Sequence, residues 1–490
     1  MNIILILIPV LYVIILFLLS AFFIKRALNS YEEYTLCGRT LTIWYIIFTY
    51  LGTWIGGGTI IGLAGTAYEN GANRYWLFAS SCIVSFIFAF IFITRIRKLR
   101  VNSIGDMFAM RYPKNKEIIR IPVAIGIMIR NVTMTGMQFA ALSYLLVYSF
   151  HINKNLAVLA TFIVITAYTS ISGLWSVVAT DVFQGILQTI GLFLIIFFCI
   201  RSAGGISETM SFFSSPSQQG YINILGSDTS SWAKDILVYI FSFGLFFIMG
   251  DQCDWERIGS AKTDKAAFWG FLIPITIMLI LLLSPTYIGV LQRALNLDDS
   301  GSNFIIYSFL LHMVRPAFSA FIIVTLFASI MSSADSYMFA TGVIFSNDII
   351  KRFFNKNAGD KELIFWTRWG VIASGAVGFA FAVNINDIVS LWITGMAIPV
   401  ITLIPAYLFA WFSKKVNTTG VLAGIIFGAV YCGVILISGH NMEFIYIMAG
   451  TAANALITYF VSVFKGEKDE NAADIGYYSE IFKSVKKIPR

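Results

Sequence analysis

Between Ala328 and Met338 the chain reads ASIMSSADSYM, four serines and an aspartate within eight residues. Ser329, Ser332, Ser333 and Ser336 recur at spacings of three and four, so on a helix they share one face, with Asp335 beside them. Hydroxyls, backbone carbonyls and one carboxylate are hard oxygen donors, the kind a small alkali cation takes. The competing reading is local: serines in apolar helices bond their own i−4 carbonyls. A second segment, GTWIGGGTIIG, carries glycines at 52, 56, 57, 58 and 62. Gly52–Gly56 and Gly58–Gly62 have the small-x-x-x-small spacing of close helix packing. Three glycines in a row exceed that need and weaken a helix by about 1 kcal/mol each relative to alanine. The segment is therefore expected to unwind and free its carbonyls.

Other residues could join such a site. Asp181 lies in ATDVFQGILQ with Thr180 and Gln184; it reads either as part of a polar pocket or as an interfacial carboxylate in water. Arg130, Asn131, Thr133, Thr135 and Gln138 fall in one apolar segment. Near mid-depth Arg130 cannot easily snorkel, so it holds a ligand carboxylate or pairs with an aspartate. Trp54, inside the glycine segment, can stack on a ligand or a cation.

The elements that must position these residues are membrane helices. The chain has 490 residues, 58% hydrophobic and 12% charged, against roughly 25% charged in soluble domains. This composition predicts an all-α polytopic membrane protein. A span needs about 20 apolar residues, and thirteen are read, at 3–24, 43–67, 75–95, 119–149, 155–172, 176–200, 232–255, 266–292, 304–350, 363–382, 387–411, 418–437 and 443–464. Segment 304–350 is read as one span with an amphipathic continuation over Asn347–Ile350. With the N-terminus outside, the inside loops (25–42, 96–118, 173–175, 256–265, 351–362, 412–417 and the tail 465–490, with Arg95 at the membrane edge) hold 25 Lys and Arg. The outside loops hold Arg74, Lys154, Arg201 and Arg293. That asymmetry sets the expected orientation and explains the net charge of +8 without a nucleic-acid partner. Residues 1–24 lack the basic start of a signal peptide and are kept as an outside-to-inside span.

Unwound backbone at bilayer depth survives only where protein or a cavity satisfies it, and secondary transporters build ion and substrate sites from such discontinuous helices. The seventh span carries Gly244 and Gly250, followed by Asp251, Asp254, Glu256 and Arg257, five spans after the glycine segment. That separation fits an inverted repeat of five. Cysteines 37, 82, 199, 253 and 432 form no C-x-x-C pair, and His151, His312 and His440 lie in or near loops. With no phosphate-binding glycine motif and no nucleophile–base pair, the sequence argues against a disulfide framework, a histidine metal site, ATP drive and an enzyme.

Taken together, several motifs in order resemble the sodium:solute symporter family. They are FTYLGTWIGGGTIIGLAGTAYENG (Phe48 to Gly71), SGLWSVVATDVFQ (Ser172 to Gln184), GDQCDWERIGSAKTDKAA (Gly250 to Ala267), with Glu256 for the usual Gln, and ASIMSSADSYM with SNDIIKRF (Ala328 to Phe353). The resemblance implies a LeuT-like five-plus-five inverted repeat with about 13 transmembrane helices. Residues 1–24 are then an extra N-terminal span, 43–200 the first repeat, 232–411 the second, 418–464 two peripheral spans and 465–490 a cytoplasmic tail. It implies a sodium site from the carbonyls of Gly52, Ile55 and Ser329 with the hydroxyls of Ser332 and Ser333. A second sodium site would use Asp181, Ser332, Asp335 and Ser336. Substrate contacts fall on Trp54, Gly56, Thr59, Phe78 and Asp251, with Arg130 and Gln138.

The expected function is sodium-coupled import of a small organic solute across the plasma (inner) membrane, with N-terminus outside, C-terminus cytoplasmic and one or two sodium ions as coupling ions. TWIGGG and MSSADS look most like choline-transporter versions of these motifs. Phe78 stands where sugar and sialic acid transporters carry a polar side chain. An amine, a zwitterion and a carboxylate all stay open as substrate. The alternatives are a solute sensor of the same fold and a transporter of a sugar or sialic acid.

Overall fold

A computed structural model describes residues 3–113, 116–202, 232–294, 305–307, 316–384 and 387–465, with parts of 204–225. His312, much of the 201–231 loop, 308–315 in the ninth predicted span and the tail beyond Lys465 lie outside the described residues. Among the described residues there is no strand, only one bridge between Leu41 and Ala261. Nine helices among the described residues are long and apolar enough to cross a membrane. Two bent pairs, Ile43–Trp54 with Gly58–Asn70 and Ile388–Thr402 with Ile404–Phe412, raise that to at most eleven. The two remaining predicted spans are also helical. One is the 20-residue apolar helix Ile3–Phe22; the other is divided into Trp232–Phe241, a 3-10 stretch Phe243–Ile248 and Gln252–Ser260. Length and apolarity thus give nine to eleven crossings among the described residues, beside the thirteen expected.

Helix starts carry their own caps. Ser103 accepts the Asp106 N–H at 3.1 Å, Thr263 that of Ala266 at 3.1 Å, and Asn417 that of Gly420 at 3.0 Å. The serine helix, Pro316–Ile344, is central: 94% of its apolar window is buried, against 28% for Phe444–Lys465. It continues as a π-helix, Phe345–Phe354. This is the amphipathic continuation read from the sequence, and its polar face is buried on protein. Asp348 accepts from Arg120 at 2.8 Å and from the Ser103 hydroxyl at 2.9 Å.

The glycine segment does unwind, at Ile55 and Gly56. Ile43–Trp54 ends at Ile55 (φ −100°, ψ 84°) and the chain resumes at Gly58 with a 54° bend. Gly57 has ordinary right-handed dihedrals (φ −58°, ψ −41°). What the glycines supply is room. A Cβ on Gly56 would lie 2.5 Å from Gln138 Nε2 and 2.6 Å from Ser333 Oγ; on Gly57 it would lie 2.3 Å from Ala141 Cβ. Unwinding and close packing, opposed in the sequence reading, meet at Gly56. In the other broken span Gly250 does need its freedom, with φ +71°.

One assignment changes. The sequence places residues 256–265 in an inside loop, whereas in the structure Gln252–Ser260 is a helix with every residue buried. Arg257 is an interior side chain and not an orientation charge. Arg111, also counted in a loop, is 3% exposed and donates to the Ala410 and Ser413 carbonyls.

Candidate functional site

The serine helix meets the unwound segment through two hydroxyls. Ser332 Oγ lies 2.7 Å from the Gly52 carbonyl, 2.7 Å from that of Ala328 and 3.2 Å from that of Ser329. Ser333 Oγ lies 2.6 Å from the Thr53 carbonyl and 3.2 Å from that of Ser329. Four of the five predicted sodium-site residues, Gly52, Ser329, Ser332 and Ser333, are thus brought together. The carbonyl that joins them from the break is Thr53's, while Ile55 supplies the non-helical turn beyond it. The local reading holds for the Ser329 hydroxyl, which donates to Thr325 at 3.0 Å. Ser332 and Ser333 face both partners. These residues are 0–2% exposed, and their neutral oxygens are a donor set that fits a monovalent alkali cation.

The residues expected to form a second ion site are arranged differently. Asp181 Oδ2 accepts from Thr49 at 2.5 Å and from Arg257 Nη2 at 2.8 Å. The same Nη2 reaches Thr53 Oγ1 at 2.5 Å and Ser336 Oγ at 2.8 Å. Arg257 Nε reaches Thr49 Oγ1 at 3.0 Å and Nη1 the Cys253 carbonyl at 3.1 Å. Asp181 and Ser336 do converge, but around a guanidinium. Asp335 accepts from Tyr168 at 2.9 Å, with Ser336 Oγ 3.4 Å from its other oxygen. Ser332 belongs to the first cluster.

Residues of the break also line a cavity of about 50 Å³. Trp54, Gly56, Thr59, Phe78, Arg130, Gln138 and Asp251, all seven predicted substrate residues, line it, together with Ser81, Asp254, Tyr337 and Trp392. Arg130 is ion-paired with Asp251, and its guanidinium lies between the rings of Phe246 and Tyr337 at 4.7 and 4.6 Å. The two readings of Arg130 therefore meet: it pairs with an aspartate, and the pair borders the cavity. Asp254 accepts from Trp54 Nε1 at 3.2 Å and from the Asp251 N–H at 2.8 Å. Gln138 Oε1 accepts the Gly57 N–H at 2.7 Å, which fixes the far side of the break. Phe78 packs on Trp392 with ring centroids 4.6 Å apart. Their chain neighbours Leu77 and Ile393 line a larger recess of about 530 Å³, which also takes in Asn70, Arg74 and Asp387.

The model of the sodium:solute symporter family matches residues 34–428. The chain belongs to the sodium:solute symporter family. This is a family of sodium-coupled transporters and not of enzymes, and its members are multi-pass membrane proteins. Among similar relatives, the high-affinity choline transporter 1 of Torpedo marmorata is 26% identical over 447 residues, covering 86% of this chain and 74% of that protein. The sodium/proline symporter 2 of Staphylococcus saprophyticus is 24% identical over 476 residues, covering 92% of this chain and 91% of the relative. The fold matches that of a Na+-coupled sialic acid symporter in a substrate-bound outward-open state, with a TM-score of 0.78, 17% identity, and coverage of 94% of this chain and 98% of the other. This is the LeuT-like architecture.

For this symporter-family chain, sequence reasoning missed Arg257, Thr49, Thr53, Tyr168, Asp254 and Trp392 as site residues. Thr49 and Thr53 stand four apart, one helical face, a signal that was present but overshadowed by the glycines. Arg257 was hidden by its place in a segment whose charges read as a loop.

Proposed function

We propose that this protein imports a small organic solute by sodium-coupled alternating access. The observation that carries the reading is the junction of Ser332 and Ser333 with the Gly52 and Thr53 carbonyls. A sodium ion bound there, between the serine helix and the unwound segment, replaces hydrogen bonds that otherwise hold the two together. It thereby fixes the backbone that, at Trp54, Gly56 and Thr59, lines the solute cavity. Ion binding preorganises solute binding, and rocking of one bundle of helices against the other exposes both sites to the opposite side. Residues 43–200 and 232–411 are read as the two inverted repeats, with the N-terminus outside and the C-terminus cytoplasmic.

The solute is read as an amine, a zwitterion or a carboxylate, in keeping with the Arg130–Asp251 pair and with the aromatic Phe78 where a polyhydroxylated solute needs a polar side chain. Choline and proline transporters among the relatives support that range. Arg257 already supplies a cation to Asp181 and Ser336, which favours one sodium per solute over two. The coupling ratio is read from parallel sodium and solute fluxes.

Uptake into proteoliposomes tests the function. Solute should accumulate only with an inward sodium gradient, and accumulation without one sinks the proposal. Replacing both Ser332→Ala and Ser333→Ala should raise the sodium concentration for half-maximal uptake about ten-fold or more, since each hydroxyl contributes on the order of 1 kcal/mol. An unchanged sodium dependence removes this site.

A further inference from the structure

The cavity beside Asp251 holds about 50 Å³. A water needs roughly 10–15 Å³ of such space, so the cavity takes a few waters, and the hydrogen bonding of its wall indicates which groups a solute replacing them would meet. Asp254 has a protein donor on each oxygen, and the Thr59 hydroxyl donates to the Trp54 carbonyl at 3.3 Å. By contrast Asp251 Oδ1, Arg130 Nε and Ser81 Oγ are buried without a hydrogen-bond partner, and all three residues line the cavity. Beside Arg130, Asn131 Nδ2 is likewise unpartnered, although its Oδ1 accepts from Arg130 Nη1 at 3.1 Å.

An unpartnered buried polar group costs roughly 1–3 kcal/mol, a cost that a ligand with matching groups removes. The unmet valences are one carboxylate oxygen, guanidinium and amide N–H donors, and a hydroxyl that serves either way. A quaternary ammonium has no N–H to give Asp251. A carboxylic acid alone would place its charge beside that of Asp251. Only a ligand carrying both a cationic N–H donor and an anionic acceptor meets both ends of the pair.

We infer that the Arg130–Asp251 ion pair is split by the solute, a small zwitterion whose N–H-bearing ammonium binds Asp251 and whose carboxylate binds Arg130. This rests on the symporter reading above and specifies its solute class. Arg130 is clamped between two aromatic rings, and Asp251, which follows Gly250 with its left-handed φ of +71°, caps Gln252–Ser260 in a capping box with Asp254. In the ion pair each side chain stands in for the ligand group that the other will receive.

The test is calorimetric binding to the full chain in lipid nanodiscs with sodium present. The probes are glycine, L-alanine and L-proline as zwitterions, pyrrolidine and cyclopentanecarboxylate as the amine and acid halves of proline, and choline. At least one zwitterion should bind more than about ten-fold tighter than pyrrolidine, cyclopentanecarboxylate and choline, because a site built to bond a ligand group rejects the analogue lacking it. Arg130→Met should reduce L-proline to the affinity of pyrrolidine, and Asp251→Asn to that of the acid. If pyrrolidine or choline binds as tightly as the best zwitterion, or no zwitterion binds, the split pair is overturned. The wild-type ranking decides even where a variant fails to fold. Thermal stabilisation by sodium alone is read separately: its presence with a failed ranking removes the split pair and leaves the symporter, and its absence removes the symporter reading as well.

Discussion

Two buried arginine–aspartate pairs lie beside the same broken helix, and they differ in how fully they are used. Arg257 and Asp181 have side chains 1% and 0% exposed; Arg130 and Asp251 are 2% and 7% exposed. Every nitrogen of Arg257 that can donate has a partner, and those partners come from the glycine helix, the Asp181 helix, the serine helix and its own. Only Asp181 Oδ1 is left over. Arg130 instead keeps an unpartnered Nε, and its aspartate an unpartnered oxygen, at the wall of a cavity. Burial and charge alone would rank the pairs as equals. The difference in satisfied valences separates a strut that joins four helices from a pair that faces a ligand.

The largest expected effect breaks the strut. Arg257→Met strands the Asp181 carboxylate in a dry interior and should cost about 3–5 kcal/mol, read as a fall in thermal unfolding temperature in detergent. Adding Asp181→Asn should recover more than half of that loss. Arg130→Met should cost less, about 1–3 kcal/mol, because its aspartate already borders a cavity. Equal losses in the two single variants would collapse the contrast between the pairs.

A smaller effect tests the backbone between them. Gly56→Ala drives a methyl into the Gln138 amide and the Ser333 hydroxyl. Overpacking of this kind costs about 1–3 kcal/mol, and sodium affinity should fall with it because Ser333 must shift. Wild-type sodium affinity in this variant would detach the glycines from the ion site. The smallest effect is expected from Trp54→Phe, which removes one hydrogen bond to Asp254 at a cost of about 0.5–1.5 kcal/mol. Solute binding should weaken several-fold; unaltered binding would place Asp254 outside the solute site.

The sequence revealed more of this site than of its supports. The serine spacing located Ser332 and Ser333 because helical periodicity carries position directly. The glycine run located the break, which falls on Ile55 and Gly56. It did not show what crowds the run: Gln138, Ala141 and Met137 press on glycines 56 to 58. That crowding depends on neighbours more than seventy positions away, and local propensity cannot contain it. Arg257 failed for a related reason. A basic residue at the end of an apolar run looks like a loop charge until the helices that enclose it are known, and all of those are distant in sequence. Asp251 and Arg130 were each legible as buried charges, but their pairing across 121 positions was not.

The contact between Phe78 and Trp392 has a consequence for speed. Phe78 and Trp392 line the small cavity, and their chain neighbours Leu77 and Ile393 line the 530 Å³ recess. Two rings in contact can turn aside by side-chain rotation, which needs no movement of a helix axis and is faster than the microsecond-to-millisecond motions of whole helices. A change in the size of the small cavity at this point can therefore be fast even where the helices around it are slow, and a small residue at either position would make that enlargement permanent.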